Sequence, residues 1–343
     1  MQDNKKRGGD ETAFTKLAAC LGVGRSTVSK VLRHCGGVDT GTRHMILAAA
    51  KNVDELRASG TCGIYCILPD IPSFFWQEMQ NGISDGIAAA ENDAGKEVKC
   101  NIYCRLRDEE SVLDYLDEAE RMDARCIIIA TMMTAEIRER LSAICRRADR
   151  LVILLSEYGN VPNAFYVGAD SYSDGRRMAE MFLEYRKSLS CPVNLCLFNV
   201  ESNPNVAMRV NGFTDVLSAS GIGVTVIPFD FEMYTVKTLQ SYTASRLASV
   251  TEEADDGSVP VFYIPIGMKV FVQAMNKAGI DSRAACFCHD FSAKEASADP
   301  RIIRICSQNV YEQGREAIRR ALEYLNTGTC PDRKKIIVPS SFF

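Results

Sequence analysis

Residues 259–291 read VPVFYIPIGMKVFVQAMNKAGIDSRAACFCHDF. The apolar run VPVFYIPI (259–266) reads as a strand, residues 267–279 as a helix, and ACFCHDF (285–291) as a second strand. The same rhythm recurs upstream. CGIYCILPD (62–70) precedes a helix around 76–93, and CIIIATM (126–132) precedes a helix at 134–147. LVILLSE (151–157) leads into a loop, and VNLCLFNV (193–200) precedes a helix at 206–220. Strands alternating with helices predict parallel sheets with helices on both faces. In such sheets ligands bind beyond the carboxyl ends of the strands. Neither GxGxxG nor GxxxxGK[ST] occurs, so no dinucleotide or ATP site is indicated.

The chain of 343 residues is long enough for two or three domains. Its 46% hydrophobic and 24% charged content is that of an ordinary globular protein. No apolar run approaches the roughly 18–20 residues of a membrane span. The opening MQDNKKRGGDETAF lacks the apolar core of a signal peptide, and a cytoplasmic location is expected. The 14 cysteines form no CxxC pair and only three His accompany them, which favours reduced, buried thiols over a metal or disulfide framework. Charge is uneven. Residues 1–53 carry a net +5 and the remainder −9, so a basic head able to meet a polyanion sits on an acidic body.

Within that head, Lys16–Leu21 has helical apolar spacing with Thr15 placed as cap, and Gly22 ends it. In GVGRSTVSKVLR (22–33), a second helix runs from near Gly24 to about Arg33, with Val28, Val31 and Leu32 on one face. A third helix, Thr40 to about Val53, is read with Met45, Ile46, Ala49, Ala50 and Val53 as its inner stripe. Two short helices about a Gly turn, closed by a third, predict a helix-turn-helix unit. Its second helix would enter the major groove. Arg25 and Ser26 would then meet base edges, Lys30 a base or phosphate, and Thr27, Ser29, Arg33 and Thr42 the phosphates. The other reading is a three-helix bundle whose basic face docks a protein.

Residues 12–53 resemble the head of the LacI/GalR-type (lactose-repressor) family. Leu17-Ala18, Leu21-Gly22-Val23-Gly24 and Thr27-Val28-Ser29-Lys30-Val31-Leu32 follow that family's motif, with Val38-Asp39 and Thr42-Arg43 at the correct distance. Gly24 stands where the family has a Ser cap. The resemblance continues through Leu68-Pro69-Asp70, Phe75-Trp76, Glu78 and Gly82-Ile83. It then runs through Val167, Asp170-Ser171, Gly175, Ala179, Arg209, Gly212-Phe213, His289-Asp290, Gln308 and Gly314.

It implies an all-α helix-turn-helix head at 1–53 and a shortened linker at 54–60. It also implies a two-lobed body of the periplasmic-binding-protein kind at 61–343. The N-lobe would hold about 61–166 and 309–327, and the C-lobe about 167–308 and 328–343, joined by three crossings. Phe75, Trp76, Arg209, Asp290 and Gln308 are the effector-binding candidates it implies, with Ser156, Glu157 and Asp170 as weaker members. Arg209 and Asp290 are suited to hydroxyls, and the two aromatics to an apolar ring face. Asp70 reads as the cap of the helix that follows it. Ile264-Pro265 replaces the family's Asn-Asp pair, which removes one usual polar ligand group. About ten linker residues are absent. Leu56 is the candidate hinge wedge for the minor groove, with Asp54 and Glu55 beside it.

The function so implied is a DNA-binding transcription regulator, a repressor, acting as a homodimer on a near-palindromic double-stranded operator. A sugar-like or nucleobase-like effector would tune it, and no cofactor, metal or membrane is implied. The alternative is a small-molecule sensor whose head docks a protein partner. A secreted solute-binding protein is disfavoured by the missing signal peptide and the cysteines. An enzyme is disfavoured because no nucleophile, metal or phosphate-loop constellation appears.

Overall fold

The computed structural model describes residues 63–343, with breaks at 71–72, 95–97, 104–108, 148, 201–202, 229–235, 253–256, 281 and 331–333. It also describes residues 18, 21–32, 38–39, 42–43 and 45–46 nearer the N-terminus. The candidate phosphate contact Arg33, the linker 54–60 and the hinge candidate Leu56 lie outside the described residues.

Two six-stranded sheets carry the body. The first holds β1 (Ile64–Pro69), β2 (Val98–Tyr103), β3 (Cys126–Ile129), β4 (Leu151–Leu155), β5 (Phe165–Gly168) and, from near the end of the chain, β11 (Lys335–Ile337). Its order is β11-β5-β4-β3-β1-β2, parallel throughout. The second holds β6 (Val193–Asn199), β7 (Thr225–Pro228), β8 (Val259–Ile264), β9 (Ala285–His289), β10 (Ile302–Ser307) and β12 (Ser341–Phe342). Its order is β12-β10-β9-β8-β6-β7, parallel except where β12 meets β10. The stretch 259–291 behaves as its pattern predicts: β8 and β9 pair in parallel, Val261 opposite Ala285, across the helix Met268–Lys277.

The apolar runs of β1, β3 and β4 are buried along their whole length because helices cover both sheet faces. Alternate residues serve opposite cores. Ile64, Cys66 and Leu68 join Ile128 and Ile153 against α2 (Phe74–Ala94) and α10 (Val310–Thr327). Tyr65 and Ile67 join Ile127 and Val152 against α3 (Glu109–Arg121) and α4 (Ala135–Cys145). The second lobe has one large core, fed by α5 (Ser171–Lys187), α6 (Pro204–Ala219), α7 (Val236–Glu252), α8 (Met268–Lys277) and the short α9 (Ala293–Ala296). Cys66, Cys126, Cys196, Cys286, Cys288 and Cys306 lie in these cores as small buried thiols. Among the described residues no helix is long and apolar enough to cross a membrane.

Three crossings join the lobes side by side: β5 to α5, β10 to α10, and β11 to β12. Val338 N donates to the Gly168 carbonyl (2.9 Å), tying the third crossing to the first. Asn309 Nδ2 donates to the Pro339 carbonyl (2.6 Å) and to Ser341 Oγ (2.9 Å), tying it to the second. One expected boundary changes. Residues 335–337 pair with β5 in the first sheet, so they do not belong with the C-lobe, and the last crossing comes at about 338–340. A three-residue strand carries too little pattern to announce its sheet, so only pairing decides it.

In the N-terminal segment, α1 (Arg25–Leu32) follows Gly22, whose φ is +67°. The Gly24 carbonyl accepts from Thr27 N (2.9 Å) and Val28 N (3.1 Å), which starts the helix. Ala18, Val28, Val31, Val38 and Ile46 form a small separate core. Arg25, Ser26 and Lys30 are exposed, and Thr27, Ser29 and Thr42 are half-buried. Met45 was expected inside but is 40% exposed, whereas Ile46 is fully buried. Consecutive helical residues point about 100° apart, and Ile46 takes the inward position.

Candidate ligand-binding cleft

The chemistry collects where the strands of both sheets end. Asp290 directly follows β9, Pro265 follows β8, Gln308 follows β10, and Ser156 and Glu157 follow β4. Two of these positions are strained. Ser156 has φ +63° and Asp290 φ +53°, a region that costs a non-glycine residue on the order of 1–3 kcal/mol. Such strain re-aims a side chain at the point where a strand stops.

Arg209 is delivered by α6, whose first turn is set by Pro204 and by the cap Asn203. The Asn203 Oδ1 accepts from Asn205 N (3.0 Å) and Val206 N (3.1 Å). The helix is drawn close to α5 because Gly175 faces the Arg209 carbonyl oxygen and Gly212 faces the Tyr172 carbonyl oxygen, each within reach of any added Cβ. Only glycine permits this approach. Arg209 is 3% exposed; its guanidinium donates from Nη1 to the Pro265 carbonyl (2.7 Å) and lies 3.6 Å from Asp290 Oδ2. Gln308 donates to both Asp290 oxygens, from Nε2 (2.5 Å) and from its backbone N (3.4 Å). Burial pushes the Asp290 carboxyl up, and Arg209 and Gln308 pull it back down.

Under this group, Tyr263 stacks on Phe213 (centroids 3.9 Å apart, 6° between planes) and its hydroxyl meets His289 Nε2 at 2.9 Å. Burial and the nearby Arg209 hold His289 far below its usual pKa, so it is neutral.

From the other lobe, Glu157 faces this group. Asn205 Nδ2 donates to the Ser156 carbonyl (2.8 Å) and to Glu157 Oε2 (3.3 Å), linking α6 to the end of β4. Glu157 retains some exposed surface, yet burial raises its pKa to about 7; Arg209 opposes this and Asp290 adds to it. Asp174, on α5, accepts from Ser340 Oγ (2.7 Å) in the third crossing, and burial raises it to about 6. Arg209 Nε and Asn205 Oδ1, and His289 Nδ1 nearby, are buried and have no hydrogen-bond partner among the described residues.

Arg209, Asp290 and Gln308 are thus one constellation, joined by Glu157 and Ser156. Phe75 and Trp76 form their own edge-to-face pair (4.8 Å), and Trp76, 6% exposed, packs in the first lobe's core with Met79 and Val310. Asp170 is engaged as the cap of α5, accepting from Ser173 N (3.1 Å). The cap expected of Asp70 is supplied instead by Ser73, which accepts from Trp76 N (3.4 Å). Asn205, Asp174, Tyr263 and the Pro265 carbonyl were not read from sequence. The Asn-Pro-Asn run at 203–205 is a helix-start signal that conceals the second Asn's contact with the opposite lobe.

Two parallel α/β lobes, crossed three times and meeting at a polar cleft, define the two-lobed binding-protein architecture. The chain belongs to the periplasmic binding protein domain family, whose profile matches residues 64–329. No curated protein sequence matches it. Among solved structures it is similar to a LacI-family transcriptional regulator from Silicibacter pomeroyi, with 19% identity over 96% of this chain and 97% of that one, TM-score 0.63. It is similar to the transcriptional regulator CelR in complex with cellobiose, with 16% identity over 96% and 98%, TM-score 0.63. A carbohydrate-transporter solute-binding protein from Agrobacterium radiobacter, in complex with D-arabinose, matches at 15% identity over 83% and 95%, TM-score 0.67.

Proposed function

We propose that this protein is a transcription regulator, a repressor, whose affinity for operator DNA is set by a sugar-like molecule bound between the lobes. The observation that carries the reading is the N-terminal segment. A left-handed Gly22 turn leads into α1, which buries Val28 and Val31 and exposes Arg25, Ser26 and Lys30. A helix with that division of faces suits the major groove. The two regulators align over 96% of the chain, and the solute-binding protein over 83%. The extra length corresponds to a segment that a solute-binding protein does not need. In the cleft, Arg209, Asp290 and Gln308 offer charge-assisted partners to hydroxyls. Two copies would place two α1 helices in successive grooves, and ligand and DNA would alter each other's affinity by the same factor.

The test is selection of bound fragments from genomic DNA by the reduced full chain, with each fragment titrated against salt. The expected result is a near-palindromic site whose binding falls about tenfold or more on Arg25→Ala, in line with the ~1–3 kcal/mol of one guanine contact. Sequence-blind, salt-labile binding alone would refute the repressor reading and leave a sensor whose head docks a protein.

A further inference from the structure

We propose that the ligand of the cleft carries a protonated amine, seated against Glu157 and Asn205 of the lobe–lobe contact, in addition to hydroxyls held by Arg209 and Asp290. The inference rests on the cleft reading above and concerns what distinguishes this cleft's ligand.

The charge in the cleft is unbalanced. Among the described residues, the carboxyls of Glu157, Asp174 and Asp290 are each drawn down by the same guanidinium, that of Arg209. Asp290 takes most of the compensation, with Arg209 at 3.6 Å and two donors from Gln308. Asp174 has the Ser340 hydroxyl. Glu157 accepts a single side-chain hydrogen bond among the described residues, a 3.3 Å contact from Asn205. A carboxylate only partly open to water, as Glu157 is, is poorly held in its ionised form by one long donor.

The neighbouring atoms ask for the same thing. Asn205 is 4% exposed, and its Nδ2 is fixed as the donor because the Ser156 carbonyl accepts from it at 2.8 Å. Its Oδ1 is therefore a buried acceptor, and it has no partner among the described residues. The Asn205 acceptor and the Glu157 carboxylate that its Nδ2 touches are together suited to a group with several N–H donors. An ammonium has three, whereas a hydroxyl has one. On the other side, Arg209 Nε is a buried donor without a partner, which a hydroxyl or ring oxygen completes. The complementary molecule is a small polyol with a cationic nitrogen at one end. The charged groups facing that nitrogen would be Glu157 from β4, Asp290 from β9 and Arg209 from α6; Tyr166 of β5 also neighbours Glu157.

Matched pairs test this: D-glucosamine with D-glucose, D-galactosamine with D-galactose, and D-mannosamine with D-mannose. Each would be titrated calorimetrically into the full chain at pH 7, where the amines are largely protonated. At least one amine should bind about ten- to a hundredfold tighter than its neutral partner, the range of a hydrogen bond to a charged group. Glu157→Gln should reduce the amine-to-neutral affinity ratio to about threefold or less. Arg209→Ala should abolish binding of both. If no amine binds more tightly than its neutral partner, or if the preferred amine's affinity is unchanged in Glu157→Gln, the proposal is overturned. If a neutral sugar binds best and Arg209→Ala abolishes it, the cleft reading stands and the amine falls. If no member of any pair binds, both fall.

Discussion

Glu157→Gln tests the electrostatics of the cleft without any ligand. Gln keeps the shape of Glu and its contact with Asn205 and removes only the charge. In the folded protein the carboxyl is raised from 4.5 to about 7, chiefly by burial. A carboxyl with a raised folded pKa favours the folded state while protonated. Its contribution is fully present below 4.5 and is lost as pH rises through about 7. The full span corresponds to about 3 kcal/mol, and integrating between pH 5 and pH 8 leaves a loss of about 2.5 kcal/mol. At roughly 2 °C per kcal/mol for a body of this size, Tm should fall by about 5 °C more in the wild type than in Glu157→Gln over that interval. Paired thermal scans at pH 5, 6, 7 and 8 supply the measurement. Asp174, raised in the same sense, contributes equally to both proteins and cancels. Parallel pH–Tm curves for the two would show that Glu157 is not desolvated as its position implies. A steeper fall in the variant would reverse the sign and refute the reasoning.

Other perturbations reach different parts of the structure. Arg209→Ala leaves Asp290 with Gln308 alone and should cost about 2–4 kcal/mol, read as a lower urea midpoint; a change under about 0.5 kcal/mol would mean the pair contributes nothing. Gly175→Ala drives a Cβ into the Arg209 carbonyl and should lower stability by about 1–3 kcal/mol despite alanine's better helix propensity, with ligand affinity falling as Arg209 is displaced. At Gly24 an added Cβ would meet Thr27 Oγ1 at 3.5 Å and Ser26 Oγ at 3.6 Å, ordinary contacts. Gly24→Ser should therefore stabilise the N-terminal segment by a few tenths of a kcal/mol through a capping oxygen, seen as slower amide exchange at Thr27 and Val28.

Much of this architecture was written in local pattern. Continuous apolar runs such as CIII and LVILL can be buried on both faces, so they announce central parallel strands. The two residue sets of β1 separate onto opposite cores because side chains alternate along a strand. Arg209, Asp290 and Gln308 came from family resemblance rather than from spacing. Nothing local tells a polar residue bound for the cleft from one at the protein surface, and they are 81 and 18 residues apart.

Tertiary structure decided the rest. The edge strand β7 buries only Ile227 of its four residues, and β11 and β12 are three and two residues long, so each exists only because a partner strand supplies its hydrogen bonds. The placement of β11 in the first sheet follows from its register with β5, Ile336 opposite Val167. Trp76 reads as a cleft residue until the fold places it in the first lobe's core, in one cluster with Met79 and Val310. Glu157 and Asn205 lie 48 residues apart on different lobes, and their contact depends on the chain crossing between the lobes. Sequence fixes what each segment buries locally; which unburied polar groups meet depends on long-range closure, which has no local period to read.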